Sequence, residues 1–123
     1  MSFVKDFMTT DIITVESHET ALKAAVIMCN NKVSSLLVIE QKKPIGMITE
    51  RDFLRKLTAQ DKKPKSVTVN ELMTCPLVTI EPDARLKDAV MVMRENAIRR
   101  LVVFESGHLK GIITLTDISK YLL

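Results

Sequence analysis

The chain has few of the residues that mark several large protein classes. It has no tryptophan, and its aromatic content is 4%, so the interleaved stacking side chains of a single-strand nucleic-acid binder are missing. Three glycines in 123 residues leave no room for a glycine-rich phosphate loop of the Walker or Rossmann kind. The apolar runs, such as residues 36–39 and 101–104, fall far short of the roughly 18 residues a membrane span requires. The opening Met1-Ser-Phe-Val-Lys-Asp lacks the basic and apolar blocks of a signal peptide, so a soluble cytoplasmic protein is expected. Two cysteines, Cys29 and Cys75, make no disulfide framework, and neither has a second Cys or a His at metal-ligand spacing. Both are expected to be reduced packing residues, with no metal and no catalytic cofactor. His18 and His108 fall in apparent loops without a nucleophile pattern nearby and read as surface residues. No catalytic constellation is visible, and the chain is not expected to be an enzyme.

What is present is basic and repetitive. The net charge of +3 and the pI near 9.0 arise in the first 65 residues, which hold 11 Lys/Arg against 8 Asp/Glu, while the rest balances at 7 against 7. Much of the excess is Arg55, Lys56, Lys62, Lys63 and Lys65, around a polar connector. Sliding the chain on itself by 65 residues lays 4–58 over 69–123 without a gap and aligns 16 identical pairs, among them Val4/Val69, Gly46/Gly111, Thr49/Thr114 and Asp52/Asp117. Average residue usage would give about three or four. The repeat divides the chain into residues 1–60, a connector at 61–66 that contains Pro64, and residues 67–123. Units of about 60 residues are marginal alone, so the two halves are expected to be intimate.

Each copy reads as strand, helix, two strands and helix. Ile12-Ile13-Thr14-Val15 is β-prone, and Ala21, Ala24, Ala25 and Met28 recur as one helix face, repeated by Leu86, Ala89, Val90 and Met93 with Asp83 as an expected N-cap. A strand at 36–40 turns through Gln41-Lys42-Lys43-Pro44 into a second at 45–49. Its counterpart at 101–105 turns through Ser106-Gly107-His108 into 109–114. Closing helices start near Thr49 and Thr114, where both copies carry Thr-x-x-Asp: Thr49-Glu50-Arg51-Asp52 and Thr114-Leu115-Thr116-Asp117. A hydroxyl followed three residues later by an acid is close to a capping box that simply starts a helix. The same corner offers backbone N–H groups that suit a phosphate and a carboxylate that suits a ribose diol.

With Gly46-Met47-Ile48-Thr49-Glu50-Arg51-Asp52 and Gly111-Ile112-Ile113-Thr114-Leu115-Thr116-Asp117 in view, the chain resembles the CBS (cystathionine beta-synthase) domain family. Phe7-Met8-Thr9 with Ile13-Thr14-Val15, Leu72-Met73-Thr74 with Val78-Thr79-Ile80, Val33-Ser34-Ser35-Leu36-Leu37-Val38 and Ile98-Arg99-Arg100-Leu101-Val102-Val103 are similar to further stretches of that family. The resemblance implies an α+β fold of two β-α-β-β-α repeats packed through their sheets about a pseudo-twofold axis, with two clefts that bind an adenosine nucleotide (AMP, ADP or ATP) or S-adenosylmethionine. Carried over by position, one cleft takes Thr49 and Asp52 with Leu77, Val78, Arg99 and Arg100; the other takes Thr114 and Asp117 with Ile12, Ile13, Ser34 and Ser35. The apolar pairs would flank adenine, Asp the ribose, and Thr with Arg the phosphates. Because Arg99-Arg100 stands where the first copy has Ser34-Ser35, the cleft with Asp52 is expected to hold a phosphorylated adenosine more tightly. Two readings from other classes compete: a purely structural interaction module whose turns only cap helices, and a nucleic-acid binder using the basic connector. Ala24-Ala25-Val26-Ile27-Met28-Cys29, together with Phe53, Leu54, Leu57, Ile118, Tyr121, Leu122 and Leu123, offers more apolar area than a monomer hides, which predicts a homodimer.

Overall fold

A central antiparallel hairpin organises each copy. In the computed structural model, which describes residues 2–122, strands β2 (Ser35–Glu40) and β3 (Lys43–Thr49) pair antiparallel, as do β5 (Arg100–Glu105) and β6 (His108–Thr114). Both turns are tighter than the sequence suggests. Gln41 and Lys42 alone make the first, at φ 51° and 65°, and Ser106 and Gly107 the second, at 51° and 78°. Two residues at positive φ match the right-handed twist of the flanking strands, so Lys43, Pro44 and His108 already belong to strands. Pro44 stands on β3, an edge strand of its three-stranded sheet, where a missing N–H is tolerated. Strand β1 (Thr14–Glu16) or β4 (Thr79–Ile80) adds in parallel to the hairpin's other side.

The helices follow their apolar spacing. Helix α1 (Ala21–Asn31) buries Ala21, Ala24 and Met28, and α4 (Leu86–Asn96) buries Leu86, Ala89 and Met93. Thr20 caps α1 by accepting from Lys23 N at 3.1 Å. Asp83 does not cap α4. That helix starts later, after Arg85, and Asp83 instead accepts from Lys5 Nζ at 3.0 Å, which raises the lysine above its ordinary pKa. Both helices end on a non-glycine residue in the left-handed region, Lys32 at φ 55° and Ala97 at φ 53°, where L-residues are strained. The short α3 (Val69–Leu72) and the closing α2 (Glu50–Lys56) and α5 (Leu115–Leu122) complete the set.

The compact units do not coincide with the sequence repeats. One unit runs from Ile13 to Leu77; the other joins the segment up to Ile12 to residues from Val78 onward. Thus Val67, Val69 and Leu72, which open the second repeat, are buried in one core with Val15, Ala24, Leu36, Val38, Ile48 and Leu57. Val4, from the opening of the first repeat, is buried with Leu86, Ala89, Leu101, Val103, Ile113 and Ile118. The opening segments are fastened to the hairpins by paired backbone hydrogen bonds. Met47 N donates to Thr74 O (3.0 Å) and Thr74 N to Met47 O (2.7 Å); Thr9 N donates to Ile112 O (2.8 Å) and Ile112 N to Thr9 O (2.9 Å). Gly46 and Gly111 sit at these approaches, where a Cβ would lie 2.9 Å from Thr74 O and 2.7 Å from Thr9 O.

Several expectations about exposure need correction. Leu57 and Ile118 are core residues, so they add nothing to an outer apolar face. Leu123 and the side chain of Leu122 lie outside the described residues. Cys29 and Cys75 are free thiols, but both are exposed rather than packed. Cys29 falls off the 21/24/28 stripe of α1, and Cys75 follows the segment that pairs with β3. His18 and His108 are exposed, as predicted. Among the described residues, no helix is long and apolar enough to cross a membrane, and no group of three or more His, Cys, Asp or Glu could hold a metal ion.

Candidate functional site

Both Thr-x-x-Asp sequences fold into the strand-to-helix corners predicted for them. At the first, β3 runs into α2, Thr49 N donates to Asp52 Oδ2 at 2.9 Å, and Asp52 N donates back to Thr49 Oγ1 at 3.4 Å. At the second, β6 runs into α5, Thr114 N donates to Asp117 Oδ2 at 3.0 Å, and Asp117 N donates to Thr114 Oγ1 at 3.1 Å. Each is a reciprocal capping box, so the structural role assigned to the motif is present in both copies.

The corners are joined to the strand entrances of their own hairpins. Glu50 N donates to Ser34 O at 3.1 Å, and Leu115 N to Arg99 O at 2.8 Å. Across the ladder Ser35 stands opposite Thr49 and Arg100 opposite Thr114, and directly opposite residues share a face of the sheet. The structure therefore brings Ser34, Ser35, Thr49 and Asp52 together in one unit, and Arg99, Arg100, Thr114 and Asp117 together in the other. Ile13 lies in the first of these, its carbonyl accepting from Leu37 N at 3.0 Å, and Val78 in the second, its carbonyl accepting from Val102 N at 3.1 Å. Ile12 and Leu77 are half-buried at the two changes of unit. Arg51 is exposed.

The two carboxylates differ in what surrounds them. Asp52 is 5% exposed. Besides Thr49 N, its Oδ2 accepts from Thr49 Oγ1 at 3.2 Å, while Oδ1 accepts from Thr74 Oγ1 at 2.9 Å and faces Lys56 Nζ at 3.2 Å. Lys56 also donates to Leu72 O at 2.9 Å and Met73 O at 3.4 Å. It is therefore engaged within the fold and is not part of the solvated basic excess around the connector. In the other copy the position of Lys56 is held by Tyr121, whose ring packs on Phe7 at 4.7 Å between centroids; Asp117 is half-buried. Sequence reasoning missed Thr74 and Lys56. The i, i+4 spacing of Asp52 and Lys56 was a readable signal, whereas the approach of Thr74 depends on the opening segment crossing into this unit.

A further feature is a groove of about 630 Å³ between α1 and α2, lined by Ala25, Met28, Cys29, Phe53 and Leu54 with Lys32 and Glu50 among its polar residues. Leu54 is 63% exposed and Val26 45%.

Two α+β units, each a three-stranded sheet with helices and a Thr-x-x-Asp corner, make a duplicated architecture. The model of the CBS domain matches the chain twice, over residues 4–59 and 69–123, and the chain belongs to that family. It is 38% identical over 119 residues to the CBS domain-containing protein YhcV of Bacillus subtilis, covering 97% of this chain and 84% of that one. It is 39% identical over 110 residues to an uncharacterized protein of Methanopyrus kandleri, of whose length it spans 56%. Among solved structures it superposes on the hexameric CBS-CP12 protein from bloom-forming cyanobacteria with a TM-score of 0.88 at 28% identity, covering 96% of this chain and 70% of that one.

Proposed function

We propose that the chain is a regulatory, ligand-sensing module without catalytic activity that binds an adenosine-type nucleotide at its Thr-x-x-Asp corners. The observation that carries this reading is the placement of Arg99 and Arg100 beside Thr114 and Asp117. A capping box accounts for the threonine and the acid alone, but an arginine across the ladder from that threonine brings a charge of the kind a phosphate needs to the corner that carries a carboxylate suited to a ribose diol. Thr49, Asp52, Ser34 and Ser35 repeat the arrangement without the charge, and the apolar residues Ile12, Ile13, Leu77 and Val78 supply the surface for adenine. The ligand class is AMP, ADP, ATP or S-adenosylmethionine. The test is mass spectrometry of small molecules released from the purified protein, followed by thermal melts with each compound. An adenosine compound in the extract and a raised melting temperature are expected; an empty extract with no shift at millimolar ligand would leave the corners as helix caps only.

We also propose that a second copy covers the α1–α2 groove. Its apolar floor carries Lys32 and Glu50, charges of opposite sign, so a twofold apposition would place each lysine of one copy by the glutamate of the other. The hexameric assembly named for the cyanobacterial relative supports association of this kind of module.

A further inference from the structure

We propose that Lys56 is a built-in occupant of the Asp52 carboxylate, so that the first corner is a closed structural lock and the second, with Asp117, is the one that takes ligand. This rests on the adenosine reading above and decides between its two corners.

A carboxylate offers about four lone-pair sites. Asp52 accepts three hydrogen bonds, from Thr49 N and Thr49 Oγ1 on Oδ2 and from Thr74 Oγ1 on Oδ1, and the Lys56 ammonium stands against Oδ1 at 3.2 Å as an ion pair. A ribose diol would bring two more O–H donors to a buried group that already accepts three hydrogen bonds and faces an ammonium, and seating it would require expelling that ammonium. Lys56 is tied in by more than the carboxylate, since its Nζ also donates to the Leu72 and Met73 carbonyls. The lysine therefore fastens the opening segment of the second repeat to α2, and giving it up costs two hydrogen bonds and an ion pair.

The second corner has the same backbone and the same Thr and Asp, but no ammonium can come from position 121. Tyr121 instead packs on Phe7, the residue aligned with Leu72 at the 65-residue offset. Fastening of the opening segment is thus done by an aromatic contact in one unit and by a charge in the other, and only the charge uses up the aspartate. The arginine pair lies on the Asp117 side as well. Sequence alone ranks the Asp52 corner higher on the strength of those arginines; the ammonium held against Asp52 and the register of Arg100 both argue for the other.

Titration calorimetry with adenosine, which carries no phosphate and so reports on the carboxylates, tests this on the full chain. Wild type should show one binding event per chain, weakened at least about tenfold by Asp117→Asn, the loss expected for one charge-assisted hydrogen bond. Lys56→Met should add a second event, and Asp52→Asn on that background should remove it again, while Lys56→Arg should keep the wild-type number. If Lys56→Met melts too low to titrate, Lys56→Tyr, which installs the second copy's own residue, serves instead. An unchanged number of events in Lys56→Met or Lys56→Tyr, or two events in wild type, would overturn the assignment of lock and sensor while leaving the nucleotide reading intact. No heat with adenosine or AMP from any variant would overturn the nucleotide reading, and the assignment with it.

Discussion

The chain's three glycines are required for two different reasons, and replacing each by alanine should separate them. At Gly111 an added Cβ would meet Thr9 O at 2.7 Å and Met8 Sδ at 2.9 Å. A backbone oxygen cannot swing aside, so either β6 or the opening segment must shift. Overpacking of this kind costs about 1–3 kcal/mol, and loosening the Thr9–Ile112 pair of hydrogen bonds adds about 1 kcal/mol. The unfolded chain returns about 0.4–1 kcal/mol because alanine is less free than glycine. Gly111→Ala should therefore destabilise by about 1–3.5 kcal/mol. Gly46→Ala should cost less, about 1–2 kcal/mol by the same overpacking argument, because its nearest atoms stand at 2.9 and 3.0 Å. Gly107 has nothing within 4 Å of its would-be Cβ but sits at φ +78°, so its cost is the left-handed strain alone, about 1 kcal/mol. Denaturant titrations of the three variants should rank them Gly111, Gly46, Gly107, and hydrogen exchange should show the Thr9 and Ile112 amides opening in Gly111→Ala. A Gly111→Ala protein as stable as wild type, or a Gly107→Ala protein less stable than both others, would refute the close-approach argument.

At Ala97, in the left-handed region at φ 53°, glycine should stabilise by roughly 0.5–1 kcal/mol, whereas Lys87→Gly, inside the same helix, should destabilise by about 1 kcal/mol; thermal melts showing the same sign for both would sink the cap assignment. Glu71 has its pKa held below the ordinary carboxylate value, first by the hydrogen bond from Thr68 N and then by that from Thr68 Oγ1. Its stabilising effect is present above the unfolded-state pKa and is lost as pH falls through the depressed folded value, so Glu71→Gln should flatten the acid limb of stability against pH in denaturant titrations. Leu54→Asp, at the most exposed apolar position of the α1–α2 groove, should convert a dimer to a monomer by light scattering at micromolar concentration; an unchanged mass would place the interface elsewhere.

The repeat, the β-α-β-β-α order and both Thr-x-x-Asp corners were legible because each rests on local pattern: Ala21, Ala24 and Met28 at helical spacing, hydrophobic runs between turn residues, and an acid three positions after a hydroxyl. Local pattern also explains the errors. Asp83 reads as a cap by residue type, but only the start of α4 at Leu86 decides that Arg85 holds the position. Cys29 lies in an apolar run that gives no hint of which side faces outward. The partners of Asp52 were less visible still, since Thr74 comes from 22 residues away and the offset that aligns Lys56 with Tyr121 looks like ordinary divergence until both side chains are seen holding down an opening segment.

The crossing of those opening segments also sets an order of assembly. Residues 13–77 form one continuous stretch of chain, and everything that their core requires has been synthesised once Leu77 has emerged. Val4 and Thr9 are made earlier than any of it, yet their partners Ala89, Leu101 and Ile112 come after it, so Val4 and Thr9 must wait through the whole of residues 13–77 and beyond before they can be packed. Domains made continuously can fold during synthesis, N-terminal part first; here the segment before Ile13 belongs to the unit that is completed second. Linking the two ends and reopening the chain between Leu77 and Val78 would make both units continuous and remove that wait.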